Sequence, residues 1–274
     1  MSQDLPSSGG ARSLRRGMGD PWRVYKVGGP ALEDHGLIGP LAEELQRAGG
    51  PVVVVHGGGR SIERLLGTLG IESRFVEGRR VTSPAAMEVV EMVLSGAVNK
   101  GLAAGLSHAG VPAIGLSGRD AGLVRVRLEP GLGRVGTPER VDIAPLLALW
   151  DAGYVPVVAP VSTGPQGESV NVNADEVALA VARALRARSL VYLSDVDGVR
   201  VDGTTAARLT QDEAERRIAD GTITGGMTLK VRVALAAAAA GIPEVVVAGR
   251  ARLEGRFAGT AIETADTSAT GEIR

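Results

Sequence analysis

Residues 52–60 read VVVVHGGGR, and this stretch decides the fold. Four consecutive β-branched residues suit a strand buried on both faces of a parallel sheet. Gly57, Gly58 and Gly59 follow at once, and Ile62, Leu65, Leu66 and Leu69 then recur at helical spacing. The order is buried strand, glycine turn, helix start. Without Cβ atoms, such a turn lets backbone N–H groups crowd toward one point. At a helix N-terminus those groups lack internal partners, and the helix dipole favours an anion. One reading is an oxyanion or phosphate cradle; the other is a tight turn that binds nothing, and the glycines alone do not choose. The stretch has neither the Gly-Lys-Ser/Thr ending of a P-loop nor a spaced G-x-G-x-x-G.

The same grammar repeats outward from this stretch. Residues 22–27 form a strand that ends on Lys26 and closes with Gly28 and Gly29, and Pro30 suits the first turn of a helix over 31–48. Lys26 therefore stands at the carboxyl end of a buried strand, where open α/β sheets bind ligands. Residues 74–82 read as a hairpin around Glu77-Gly78 that carries Arg79 and Arg80 back toward the sheet; alternation does not decide which arginine faces solvent. Residues 85–109 predict one long helix, with Gly96 placed for close packing against another helix, including one from a second subunit. A strand over 112–117, a surface hairpin over 120–136, a helix over 141–152 and a buried strand over 154–160 follow. Asn171, Asn173 and Asp175 then lead into a helix over 176–188; one of them would suffice as an N-cap. From residue 189 a strand, a loop, a helix over 210–220, a glycine loop at 221–226, a helix carrying Lys230 and a strand over 243–248 complete the pattern. Strands alternate with helices, which predicts an α/β fold with a mainly parallel sheet between two helical layers. Residues 1–21 and 265–274 are expected to be flexible tails.

The totals exclude several function classes. With 30 Lys+Arg against 31 Asp+Glu, the charge balance argues against a general nucleic-acid or membrane-surface binder. The chain has no cysteine, which removes disulfides and thiolate metal sites, and its three histidines are scattered. No metal ligand set is expected among the side chains. No apolar run approaches the roughly 18–20 residues that cross a bilayer, and the first residues show no apolar signal core. The expectation is a soluble cytoplasmic protein without a membrane or nucleic-acid partner.

At strand ends and helix starts the chain gathers two glycine turns, Lys26 and Lys230, an Asn/Asp cluster and an arginine. It offers no Ser-His-Asp triad and no Cys or His nucleophile. Phosphoryl transfer fits this inventory, because its catalysis is mainly positioning and neutralisation of charge on the moving group. Lysines and backbone N–H groups supply both. A carboxylate acceptor, titrating near ~4.3 when free, would need no general base.

The motifs KVGG, VVHGGG, GRRVT, LSGAVNK, NVNAD, LSDVDG and GGMTLK, in this order, resemble those of the N-acetylglutamate kinases of the amino acid kinase family. The resemblance runs from about residue 24 to residue 262. It implies an open αβα sandwich and ATP-dependent phosphorylation of the side-chain carboxylate of N-acetyl-L-glutamate, the second step of arginine biosynthesis, with Mg2+ on the phosphates. It implies an acid-binding lobe over 22–187 and a nucleotide-binding lobe over 188–264; the helix over 85–109 is the candidate interface of a homodimer. By motif position, Lys26 and Lys230 would stabilise the transition state and Asp175 would hold both lysines. Gly58 and Gly59 would receive the acid and the transferring phosphate, Arg80 the α-carboxylate, and Asn171 the far end of the acid. Gly28, Gly29, Ser194, Asp195, Val196, Gly198, Gly225, Gly226 and Met227 would line the nucleotide site.

The sequence departs from the family pattern in two places. Arg79 stands where an apolar residue usually precedes the substrate arginine. A glycine-rich start and RLEGRFAGTAI replace the long N-terminal helix and E-[LI]-F-T segment of arginine-inhibited relatives, which predicts weak or no arginine feedback and a dimer instead of a hexamer. The alternatives are a kinase for a carrier-bound α-aminoadipate, against which the GRRVT loop argues, and a catalytically silent sensor, against which Lys26, Asp175 and Lys230 argue.

Overall fold

The structure is a computed structural model and describes residues 21–32, 36–76 and 78–264. The expected tails, apart from Pro21, and Glu77 of the expected hairpin lie outside the described residues. β1 (Arg23–Val27) passes through α1 (Gly29–Leu32) and α2 (Ile38–Arg47) to β2 (Val52–His56) and α3 (Gly59–Thr68). The hairpin β3 (Arg74–Val76) and β4 (Arg79–Val81) precedes α4 (Pro84–Glu91), a π-helical stretch (Met92–Val98) and α5 (Asn99–His108). Then come β5 (Ala113–Ser117), β6 (Val124–Leu128), β7 (Val135–Val141), α6 (Ala144–Asp151), β8 (Val155–Ala159), β9 (Val161–Thr163), β10 (Ser169–Val172) and α7 (Ala174–Ala184). The remainder is β11 (Ser189–Leu193), β12 (Arg200–Val201), β13 (Thr204–Thr205), β14 (Arg208–Thr210), α8 (Gln211–Ala219), α9 (Gly225–Ala239), β15 (Glu244–Ala248), α10 (Arg250–Leu253) and β16 (Thr260–Glu263).

Eight strands make one sheet in the order β14-β16-β15-β11-β1-β2-β8-β5, parallel except where β16 runs against β15. The valine run shows why β2 is central. Val53 and Val55 pack into the core layer that holds α7 and α9, while Val52 and Val54 pack into the opposite layer with α2 and α5. Period-two alternation with both faces apolar requires helices on both sides. The same alternation sends Lys26 to the α7 side with Val24, and His56 to the α5 side with Val54. A third cluster joins Ile62 and Leu66 of α3 to Val90 and Leu94 of the long helix.

Several expected elements differ. The long helix is continuous over Pro84–His108, 25 residues, started by Ser83, whose side chain accepts from Ala86 N–H, but its middle is π-helical. Helix Pro84–His108 is long and apolar enough by composition to cross a bilayer, yet its inner residues Val90, Leu94, Leu102 and Leu106 are buried against the rest of this chain. A Cβ on Gly96 would meet open space, so no helix among the described residues packs on that face. The expected helix over 31–48 is α2 preceded by one short turn. Helix α6 starts only at Ala144, because β7 extends to Val141. The stretch expected as a surface hairpin builds a closed four-stranded barrel, β10-β7-β6-β9, and its Val124, Val126 and Val135 are buried. An alternating pattern with one buried face suits both; the strands at 161–172 supply the cover in this fold.

Candidate active site

The carboxyl ends of β1 and β2 and the start of α7 open onto a cleft of about 550 Å³. Lys26, Gly29, Gly58, Gly59, Arg80, Asn171 and Asp175 all line it. The two glycine turns stand back to back. A Cβ on Gly29 would lie 3.3 Å from the Gly59 nitrogen and 3.5 Å from that of Gly58, and one on Gly57 would lie 3.3 Å from the Gly29 nitrogen. A Cβ on Gly58 would meet Leu94 Cδ2 at 2.6 Å. At each of these glycines a Cβ would crowd a neighbour, and the result is a wall of backbone amides at the start of α3.

Lys26 Nζ lies 2.7 Å from Asp175 Oδ1, with side chains only 9% and 11% exposed. The contact has the distance of an ion pair but not the angle of a hydrogen bond, since Oδ1 finds no aligned donor among the described residues. Asn173 takes the capping role of the Asn/Asp cluster: its Oδ1 accepts from Asp175 N–H at 2.8 Å. Asn171 donates to Thr82 Oγ1 at 3.2 Å.

Lys230 sits beyond the cleft, its Nζ donating to Ser194 Oγ at 2.5 Å, and Ser194 Oγ donates to Asp195 at 3.0 Å. Gly28 separates the two lysine groups: a Cβ there would lie 3.8 Å from Ser194 Cα and 3.9 Å from Lys26 Nζ. Burial, and then the charge of Lys26, push the Lys230 ammonium pKa down. A Cβ on Gly225 or Gly226 would meet open space. Met227 N–H donates to the Thr224 carbonyl at 3.2 Å, but the Thr224 side chain makes no cap, so the Gly225 and Gly226 amides at the start of a 15-residue helix are left uncapped by it. Asp195 is exposed and Val196 half-buried. Gly198 is buried against Thr205 and Thr260, so its small size serves packing within the chain.

The structure separates the two arginines. Arg79 donates to Glu176 Oε1 at 2.6 Å and Thr137 Oγ1 at 3.1 Å, which ties the hairpin to α7 and the barrel. Burial raises the Glu176 carboxyl pKa, although Arg79 opposes it. Arg80 is buried at the cleft wall, its Nη2 donating to the Gly59 carbonyl at 3.3 Å.

Glu63, Phe75, Leu94 and Pro160 also line the cleft and were not singled out from sequence. Nor were His56 and Asn99, both fully buried behind the glycine turn. His56 Nδ1 contacts the Gly57 carbonyl at 2.7 Å and Nε2 contacts Asn99 Nδ2 at 3.0 Å; Asn99 Nδ2 also donates to Val157 O at 2.9 Å. These partners fix one tautomer: Nδ1–H donates to Gly57 and Nε2 accepts from Asn99. Burial pushes the His56 pKa from 6.5 down to about 4.

The unfolded chain therefore takes up a proton near pH 6.5 that the folded chain refuses until about pH 4. Stability from neutral His56 is complete above the upper value and is lost as pH falls through the lower one, about 3 kcal/mol in all. Urea unfolding of wild type and His56→Gln at about pH 7 and about pH 4.5 is expected to show their stability difference shrinking by about 2 kcal/mol at the lower pH. A difference independent of pH contradicts the assignment.

The comparisons agree with one another. An acetylglutamate kinase of Rubrobacter xylanophilus is 47% identical over 248 residues, 88% of this chain and 95% of that one. The crystal structure of smu.665 from Streptococcus mutans UA159 superposes with a TM-score of 0.80 at 28% identity, covering 89% of this chain and 99% of that one. An N-acetylglutamate synthase of Neisseria gonorrhoeae, solved with coenzyme A and N-acetyl-glutamate, gives a TM-score of 0.75 at 25% identity over 93% of this chain and 61% of that one. Residues 21–249 match the amino acid kinase family, and the chain belongs to it.

Proposed function

We propose that the protein transfers the γ-phosphoryl group of ATP to the side-chain carboxylate of N-acetyl-L-glutamate, giving N-acetyl-L-glutamyl 5-phosphate in the second step of arginine biosynthesis. The observation that carries this reading is the Lys26–Asp175 pair, buried between two glycine turns with Arg80 on the same cleft wall. The identity to acetylglutamate kinases over most of both chains supports the acceptor.

In this reading a carboxylate oxygen, already ionised near neutral pH, attacks the γ-phosphorus while the bond to the β–γ bridging oxygen breaks and ADP departs. No proton moves. Lys26 from the 22–187 lobe and Lys230 from the 188–264 lobe neutralise charge on the transferring oxygens, and Asp175 holds Lys26 at that point. The amides of Gly58 and Gly59 receive the acid and the moving phosphoryl group. Arg80 takes the α-carboxylate and Asn171 the far end of the acid, whereas Arg79 is engaged with Glu176. Gly28, Gly29, Ser194, Asp195, Val196, Gly198, Gly225, Gly226 and Met227 border the nucleotide, with α9 presenting uncapped amides.

Among the described residues no three His or acidic side chains form a metal cluster. A magnesium ion, which keeps few protein ligands, would fit as an ion carried on the ATP phosphates, and Asp195, near Lys230, is a carboxylate that could hold it there. When bound it would neutralise charge on the β- and γ-phosphates. The long helix leaves Met92 58% exposed and Gly96 open, which supports a homodimer across residues 85–109; the compartment in this reading is the cytoplasm. Light scattering at twice the chain mass agrees with that assembly; the mass of one chain rejects it.

Steady-state kinetics separates the roles. Arg80→Ala is expected to raise the KM for N-acetyl-L-glutamate by at least about tenfold, with Arg79→Ala much milder. Asp175→Asn and Lys230→Ala are expected to lower kcat by at least about a hundredfold. Full turnover in Lys230→Ala contradicts the reading.

A further inference from the structure

Arg80 already holds a carboxylate. Its Nη1 donates to Glu63 Oε2 at 2.5 Å and also reaches Ser73 Oγ, which in turn donates to Glu63 Oε2 at 2.9 Å. The Phe75 ring covers one face of the guanidinium, 4.6 Å from Cζ to the ring centre. Helix α3 places Glu63 one turn beyond Gly59, and both residues line the cleft. The two members of the pair differ sharply in freedom: the Arg80 side chain is 6% exposed and the Glu63 side chain 54%.

We propose that Glu63 is a tethered competitor for the carboxylate of the acid substrate: it holds Arg80 until that carboxylate displaces it, and so sets the affinity and selectivity of the cleft. The inference rests on the reading of the cleft as a carboxylic-acid site. Arg80 is fixed by burial, by Phe75 and by the Gly59 carbonyl, so the guanidinium stays and the carboxylate leaves. Glu63 regains water cheaply because half of its side chain already faces solvent. Two carboxylates cannot share one guanidinium edge without repulsion. Hydrogen bonds from Arg80, and then from Ser73, hold the Glu63 carboxyl below its ordinary range, which keeps it ionised near neutral pH. An acid gripped at a second point, by the glycine amides, can displace such a tether; a monocarboxylate, gripped only at Arg80, competes with it poorly. The opposite role, a brace that aims Arg80 at the substrate, predicts the opposite sign.

Calorimetric titration of N-acetyl-L-glutamate into wild type, Glu63→Gln and Glu72→Gln decides the sign. Glu72 is exposed on the same segment, so its variant makes the same change in net charge without touching Arg80. Glu63→Gln is expected to lower Kd about fivefold and Glu72→Gln to leave it unchanged. In an Arg80→Ala background, Glu63→Gln is expected to have no effect. An equal or higher Kd in Glu63→Gln, or equal gains in both glutamine variants, overturns the proposal. Acetate, followed through the Arg80 Nε–H NMR signal, gives a readout independent of the assigned substrate: saturation at lower acetate in Glu63→Gln supports the tether, and an unchanged titration overturns it. Wild type that binds acetate but not N-acetyl-L-glutamate fails the kinase reading, while the tether is still judged on acetate.

Discussion

The buried contact between Lys26 and Asp175 is the constraint on which the rest of the site depends. Removing two charges from water costs several kcal/mol per ion before their attraction is counted, and losing one partner strands the other. Such a pair adds little net stability, yet it fixes where a cation must sit. Here β1 delivers the lysine and α7 the aspartate, in the layer that also holds Val24, Val53 and Val55. Tyr192, the register neighbour of Lys26 on β11, closes the far side; burial and then the Asp175 charge keep its phenol protonated. The ammonium is held at the strand ends, where the amides of the glycine turns converge.

The turns in turn depend on what lies behind them. Glycine at 29, 57 and 58 lets the two loops and the long helix approach closely, where a Cβ would crowd its neighbours. His56 occupies the Gly57 carbonyl and is itself held by Asn99, so the buried polar groups behind the turn are paired within the chain. Asn99 follows directly on the π-helical stretch, and Leu94 within that stretch covers Gly58. Widened turns of this kind recur at functional sites. The same helix therefore builds the back of the cleft while showing Met92 outward.

The sequence was most legible where a local pattern had one physical solution. A run of four valines followed by glycines admits a central strand and a tight turn, and the structure contains both. The placement of Lys26 followed from strand length alone. The barrel was not legible, because Val124 and Val126 alternate as a surface hairpin would and their cover arrives from residues 161–172. Arg79 and Arg80 were indistinguishable by alternation. Their difference lies in Glu176, 97 residues away, and in Glu63, 17 residues back on another element. His56 was given no role of its own within VVHGGG; its partner Asn99 is 43 residues distant. Long-range polar partners leave no periodic trace, so these were visible only in three dimensions.

The central claim is that this arrangement phosphorylates a carboxylate already ionised at neutral pH. Its most direct test is incubation with ATP, magnesium and hydroxylamine, which traps an acyl phosphate as a hydroxamate. N-acetyl-L-glutamate, L-glutamate and α-aminoadipate are compared as acceptors. The account predicts hydroxamate formed with N-acetyl-L-glutamate and little with the two free amino acids. ATP consumed without hydroxamate, or hydroxamate formed equally well from all three, would contradict it.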